Sequence, residues 1–433
     1  MNARHPPQDD SEQNAQLLLR AGRVEEAERA YLKVLTRDPF DLQALNIVGL
    51  ASIRLGQFHR ARELLERAVS IRPDHAASHH HLGRALELLG DLNGSAEHHR
   101  RAAQLDAELP AARLHLAAVL ERMGNQHESL VQYCRVLGAM QSQGKWVDRS
   151  TTPPALVPLV EHAVRSVRTG RRSMYERLLA PLDAKFGAGE MRRVHHMLRA
   201  YLGEEPAPYA DPRQRPTFLY FPGLPTAPYF DRAVFPWLAD FEAQTPAISS
   251  ELAALLPRPE VAERVFSTKA LEDQNLRGTR PSPPSWTGHY FYRSGMRRDE
   301  NCAACPATTT ALDNLPLCYV ARHGPEVLFS VFTPGTHLLP HKGVTNTRVV
   351  GHLPLIVPAD CALKVGGEEH TWQKGRVVVF DDTYDHEAWN RSDTIRVVLI
   401  FDMWNPYLTE VERLATAQLV EATGEFREAM EAG

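Results

Sequence analysis

Three residues in the last third of the 433-residue chain have the types and spacing of a small reaction centre: His341, His386 and Arg396. Imidazole nitrogens are common transition-metal ligands, and non-haem iron(II) sites often hold the metal on one face with two histidines and a carboxylate. Three positions then stay open for cosubstrate and dioxygen. The usual order is His-x-Asp/Glu, a distal histidine on a later strand, and an arginine or lysine about ten residues beyond it. Here Arg396 follows His386 by ten residues, but Gly343 stands where the carboxylate is expected. From the residues alone, two readings stay open: iron on two histidines, and structural histidines in a β-core. Asp381 and Asp382 precede His386 by five and four residues; they are expected to set a turn, and Asp385 is no stronger as a metal ligand.

The elements around these residues read as strands. Thr217–Phe221, Leu328–Phe332, Val349–Val357, Val377–Phe380 and Val397–Phe401 are short β-branched and aromatic runs bounded by Gly, Pro, Asp and Asn. Many short strands predict a sandwich or jelly roll, not a doubly wound sheet.

Two segments carry a more specific signal. Pro340-His-Lys-Gly-x-Thr-Asn-Thr-Arg348 with His352, and Phe380-Asp-Asp-x-x-x-His386-Glu-x-Trp389, resemble the aspartyl/asparaginyl β-hydroxylase family. The resemblance runs from about Pro216 to Leu408, including Phe221-Pro-Gly-Leu-Pro225 and Asp402-Met-Trp-Asn-Pro406. In that family the missing carboxylate is the rule. The resemblance implies a double-stranded β-helix (jelly-roll, cupin-like) and an Fe(II)- and 2-oxoglutarate-dependent dioxygenase with O2 as cosubstrate. His341 and His386 would be the metal ligands. Arg396 would pair with the distal carboxylate of 2-oxoglutarate, and Ser330 would bond to the same group. His352 would lie near the 1-carboxylate, Trp286 would wall the pocket, and Arg348 is a candidate pocket cation. Asp/Asn-type side-chain hydroxylation follows by family resemblance. Two departures concern the substrate end: Val350 stands where animal members carry an arginine, and Gly288 where they carry an amide.

The N-terminal third of the chain has a different period. Gly22, Gly56, Gly90 and Gly124 recur at one constant interval, and Gly49, Gly83 and Ala117 repeat at the same interval. Ala27, Ala61, Ser95 and Ser129 form another register, with Tyr31, Leu65, His99 and Tyr133 four residues on. Pro39 and Pro73 close the first two units. This pattern resembles the tetratricopeptide repeat, whose helical hairpins bury their apolar faces only by stacking into a solenoid. Its concave face is expected to hold a protein or peptide partner. His79, His80, His81, His98 and His99 are expected on a solvated face.

The sequence therefore divides into a disordered N-terminus (1–12), tetratricopeptide repeats (13–141), a helical connector or cap (142–212), an oxygenase domain (213–425) and a tail (426–433). Connector helices are expected over Leu156–Val167, Ser173–Ala180 and Met191–Leu202. With 49 basic and 53 acidic side chains, a nucleic-acid-coating role is not expected. No stretch has the length of a membrane span or signal peptide, and five cysteines suit a reduced, cytoplasmic setting. Cys302-Ala-Ala-Cys305 lacks a second ligand pair and is expected to be a tight turn. The function expected is hydroxylation of a protein or peptide side chain with the help of the repeats. The alternatives are the same chemistry on a small-molecule, lipid or carrier-bound substrate, and a repeat-based adaptor with an inactive oxygenase domain.

Overall fold

The computed structural model describes residues 17–18, 21, 23–258 and 262–432; the segment expected to be disordered (1–12) and Gly22 lie outside them. The chain forms two compact units, Met1–Met174 with Phe426–Gly433, and Tyr175–Glu425.

In the first unit the sequence period becomes helical hairpins: α1 (Val24–Arg37), α2 (Leu42–Arg54), α3 (Phe58–Ile71), α4 (Ala76–Leu89), α5 (Leu92–Leu105), α6 (Pro110–Arg122) and α7 (Gln126–Gln141). The small-residue register works by close approach. A side chain on Gly49 would come within 2.7 Å of Leu65, and one on Gly83 within 2.9 Å of His99. Gly90 ends α4 at φ 86°, a left-handed cap that glycine adopts without steric cost. Apolar contacts then join one hairpin to the next, as where Ala61 and Leu65 meet Leu82, Ala85 and Leu86. Beyond α7, Val160 and Ala163 pack against Tyr133, Val136 and Met140.

The connector differs from expectation. Its first two helices are one, α8 (Val157–Glu190), interrupted only at Gly187 (φ 79°). Gly170 is not a break; a Cβ there would come within 3.0 Å of Leu130. The third expected helix is α9 (Arg192–Tyr201). The last helix, Glu410–Glu431, runs through the expected boundary at 425/426.

Of the histidine-rich stretch, expected on a solvated face, His79 and His99 are buried and His80, His81 and His98 are half-buried between the stacked hairpins; His115 is buried as well.

Among the described residues the second unit has twelve strands: β1 (Glu263–Arg264), β2 (Leu276–Gly278), β3 (Trp286–Arg293), β4 (Met296–Arg297), β5 (Val327–Phe332), β6 (Thr336–His341), β7 (Arg348–Ile356), β8 (Cys361–Val365), β9 (Glu368–His370), β10 (Val378–Phe380), β11 (His386–Asn390) and β12 (Arg396–Trp404). One antiparallel sheet runs β1-β3-β5-β12-β7-β10, with β4 beside β3; the other runs β2-β6-β11-β8-β9. From β5 to β8 and again from β10 to β12, successive strands alternate between the sheets, the wiring of a double-stranded β-helix. Thr217–Phe221 is not a strand. It lies along 343–346 with one bridge, Leu219 to Thr345, and Phe221 N–H donates to the Asn346 side chain.

Period-2 alternation sorts the side chains of the larger sheet. Val327, Phe329, Val349, Leu353, Val397, Leu399 and Phe401 face helices 238–243, 245–255 and 306–313. Their neighbours face the smaller sheet. Cys302 and Cys305 sit at the junction of two short helices, both thiols free and buried in the helix-side core.

Candidate functional site

The inward-facing set of the larger sheet includes Trp286, Ser330, Arg348, His352 and Arg396, five residues expected at the site from sequence. With His341 and His386 of the smaller sheet they line one cavity of about 370 Å³. Strand register explains the meeting: Arg396 pairs with Phe332, Trp286 with Phe332 on its other side, and His386 with His341.

The two histidine rings lie 4.0 Å apart between centroids. His341 Nδ1–H donates to the Leu339 carbonyl at 2.9 Å, and His386 Nδ1–H to the Tyr384 carbonyl at 3.1 Å. A carbonyl can only accept, so each proton sits on Nδ1 and each Nε2 carries a free lone pair. Burial, then the neighbouring His341, pushes the His386 pKa down to about 3, which keeps its ring in the neutral, ligating form.

Gly343 shows what replaces the expected carboxylate. A Cβ on that residue would lie 2.1–2.2 Å from the carboxylate atoms of Asp382. Asp382 therefore fills, from the loop before β11, the volume a side chain at position 343 would occupy. Its Oδ1 is buried without a hydrogen-bond partner, while Oδ2 accepts from Arg348 at 3.1 Å. Asp381 does set the turn, accepting from Thr383 N–H at 2.9 Å. Both aspartates were expected to set a turn; Asp381 does so, while Asp382 packs over Gly343 and pairs with Arg348.

Opposite the histidines sits Arg396, 1% exposed. Its guanidinium lies 3.8 Å from the Phe332 ring centroid and 4.8 Å from that of Trp372. Among the described residues no carboxylate pairs with it, and its Nε lacks a partner. Burial pushes its pKa down to about 9, still protonated at neutral pH. Ser330 Oγ accepts from Trp286 Nε1–H at 2.9 Å and, more weakly, from Arg396 at 3.4 Å. Both partners are pure donors, so the serine hydrogen is left for a ligand. His352 is buried with Nδ1 unpartnered, and burial beside Arg396 holds its pKa well below the usual histidine range.

Arg348 lines the cavity but its charge is committed to Asp382 and Asp402. Sequence reasoning missed Asp402 in the wall, and Trp372, which packs against Arg396 and His352. Asp402 stood in view within Asp-Met-Trp-Asn-Pro, but nothing local showed which way it pointed.

These features test the fit of a metal and a dicarboxylate. Two free imidazole lone pairs and an adjacent carboxylate suit a divalent transition ion. A buried unpaired guanidinium with a spare hydroxyl donor suits a carboxylate.

Fold and site together define a protein with a repeat unit and a β-domain whose two sheets enclose a cavity with a few charged and polar groups in apolar walls. Residues 242–406 match the family described as aspartyl/asparaginyl beta-hydroxylase, so the chain carries that family's domain; residues 13–57 and 49–110 match the tetratricopeptide repeat. Over 143 residues the chain is 36% identical to the Homo sapiens aspartyl/asparaginyl beta-hydroxylase, covering 33% of this chain and 18% of the relative. Over 191 residues it is 35% identical to the ornithine lipid ester-linked acyl 2-hydroxylase of Rhizobium tropici, covering 43% of this chain and 64% of the relative. The chain thus spans less than two thirds of either relative. Among solved structures, MamA from Desulfovibrio magneticus RS-1 is 24% identical with a TM-score of 0.29, covering 31% of this chain and 75% of that one. Among the described residues no helix is long and apolar enough to cross a membrane.

Proposed function

We propose that the β-domain is an Fe(II)- and 2-oxoglutarate-dependent hydroxylase, acting on a side chain of a protein or peptide engaged with the help of the repeats. The observation that carries this reading is Arg396, a buried guanidinium with no carboxylate partner among the described residues, in the same cavity as two histidines whose Nε2 atoms are free. His341 and His386 would hold the metal, with Asp382 beside them. Arg396 and the Ser330 hydroxyl would take the distal carboxylate of 2-oxoglutarate, and Trp286 fixes Ser330 for that task. Iron with 2-oxoglutarate and dioxygen supplies, when bound, the oxidising power to place a hydroxyl on a C–H bond. The chain's own work is to orient these groups and to exclude water, through Phe332, Phe380 and Leu363 around the cavity.

A second reading, an acyl substrate, is favoured by the charge balance of the walls. Arg348 is held by two aspartates and Arg293 by Glu263. Once Arg396 has taken 2-oxoglutarate, no uncommitted arginine among the described residues lines the cavity for an acidic side chain. Val350 is buried in the wall, and Gly288 packs against Leu328. The relative acting on an ornithine lipid is in keeping with this.

Calorimetry of the full chain with 2-oxoglutarate in the presence of Mn(II) tests the core of the proposal. One equivalent should bind, and Arg396→Ala should lose it while keeping the metal; no binding by the unaltered protein refutes the proposal. Succinate release with acidic peptides or with acyl lipids then separates the two substrate readings.

A further inference from the structure

We infer that the repeats hold a second transition-metal site, in which Glu87, His99 and His115 bind a divalent ion such as zinc(II) and His80 orients the His99 ring. One position of the repeat is unlike its equivalents. Where the other units place Tyr31, Leu65 and Tyr133, this unit has His99. Tyr133 is satisfied there, its hydroxyl donating to Glu121 at 3.0 Å. His99 is fully buried against Gly83, and its Nε2 has no hydrogen-bond partner. Packing alone needs no imidazole at that place, since a leucine fills it in the preceding repeat.

The surroundings are those of a ligand set. Glu87, His99 and His115 each offer a donor atom, and these lie within 4.8 Å of one another. His115 Nδ1 is 3.6 Å from Glu87 Oε2, while His80 Nδ1 lies 3.3 Å from His99 Nδ1, the nitrogen other than the unpartnered Nε2, and so orients that ring. Two ligands of one tetrahedral zinc, each at about 2.0 Å, stand roughly 3.3 Å apart. Burial keeps these rings neutral, the form that binds metal. Imidazoles with one carboxylate favour zinc, cobalt or nickel over magnesium or calcium.

A cation already occupies part of the cluster. Arg84 Nη1 lies 2.9 Å from His115 Nδ1 and 3.4 Å from Glu87, and Arg122 reaches Glu87 at 3.2 Å. The cluster thus attracts positive charge, and Arg84 supplies it. Arg84 is 32% exposed at its side chain, so it can turn outward and admit an ion. The repeat does not require it: the equivalent positions, one period to either side, are Leu50 and Ala118.

The test uses the full chain with His341→Ala and His386→Ala, which silences the β-domain cavity, titrated with Co(II). One equivalent should bind with the visible absorption of tetrahedral cobalt and be displaced by zinc. His99→Leu, which copies Leu65, should abolish uptake while helical circular dichroism stays unchanged. If that variant does not fold, His115→Ile, copying Ile47, serves the same purpose. Arg84→Leu should tighten binding by about tenfold, the scale of one close charge contact. No cobalt uptake in the double variant, or uptake that survives His99→Leu, would overturn the site. Unchanged affinity in Arg84→Leu would overturn the role of Arg84 as the resident cation.

Discussion

In the β-domain His341 and His386 each give their Nδ1–H to a backbone carbonyl, whereas in the repeats His79 bonds to His98 at 2.9 Å and His80 to His99 at 3.3 Å. The backbone decides the difference. Near a strand end or in the loop before it, carbonyls remain available to a side chain two residues away. Inside an α-helix they already accept the i+4 amide, so these helical histidines bond one another, and His79 also reaches back beyond its helix start to the Pro73 carbonyl at 3.0 Å. The strands therefore fix the imidazole tautomer and free Nε2. The helices produce a mutually bonded cluster with Nε2 of His99 stranded.

The contrast can be broken most strongly at Arg396. Arg396→Ala should weaken 2-oxoglutarate binding by about 3 kcal/mol, roughly 100-fold, as expected when a buried carboxylate loses its guanidinium partner. Calorimetry reads this directly, and an unchanged affinity would remove the guanidinium from the cosubstrate site. Asp382→Ala should lower Mn(II) affinity about 10- to 100-fold, as loss of a supporting group does. Adding Gly343→Asp to that variant returns a carboxylate to the vacated volume and should recover part of the affinity, measured by electron paramagnetic resonance. Gly343→Asp alone meets the Asp382 carboxylate and should lower Tm.

The repeat cluster should respond to pH. Burial holds the pKa of His80 down at about 2 and that of His81 at about 4, against 6.5 for the free side chain. The unfolded chain takes up these protons first. Stability from the neutral rings is therefore complete above about pH 6.5 and lost as pH falls towards the folded values. Thermal unfolding of the full chain followed by helical circular dichroism should show a lower Tm at pH 5 than at pH 7.5. The drop should be smaller in His99→Leu; an equal drop would place the titrating groups elsewhere. Asp382 and Asp402, whose pKa values burial raises, act in the opposite direction and are common to both proteins. The smallest effect is expected from Ser330→Ala. It should weaken 2-oxoglutarate binding by about 1 kcal/mol, near fivefold, for the loss of one hydroxyl donor.

Much of the site was legible because strands alternate. Once Ser330 and His352 are read on strands, period 2 fixes the face of each within its own strand, but only the pairing register puts them on one face with Arg396. The registers of equal period likewise identified the hairpins, since only small residues let paired helices cross closely. The connector was less legible. Its expected first and second helices, Leu156–Val167 and Ser173–Ala180, join into one, with Gly170 between them packed against Leu130.

The sequence by itself determined the two-part organisation, the repeat period and the identity of the cavity's histidines and arginine. These are properties of spacing along the chain. Tertiary structure decided where charge is committed and where it is free. It paired Arg348 with two aspartates and left Arg396 without one among the described residues. It also set Asp382 in the volume above Gly343, a closeness between positions far apart in sequence that arises only when the loop before β11 folds against the segment after β6. The space a side chain at position 343 would fill is thus taken, in three dimensions, by the Asp382 carboxylate.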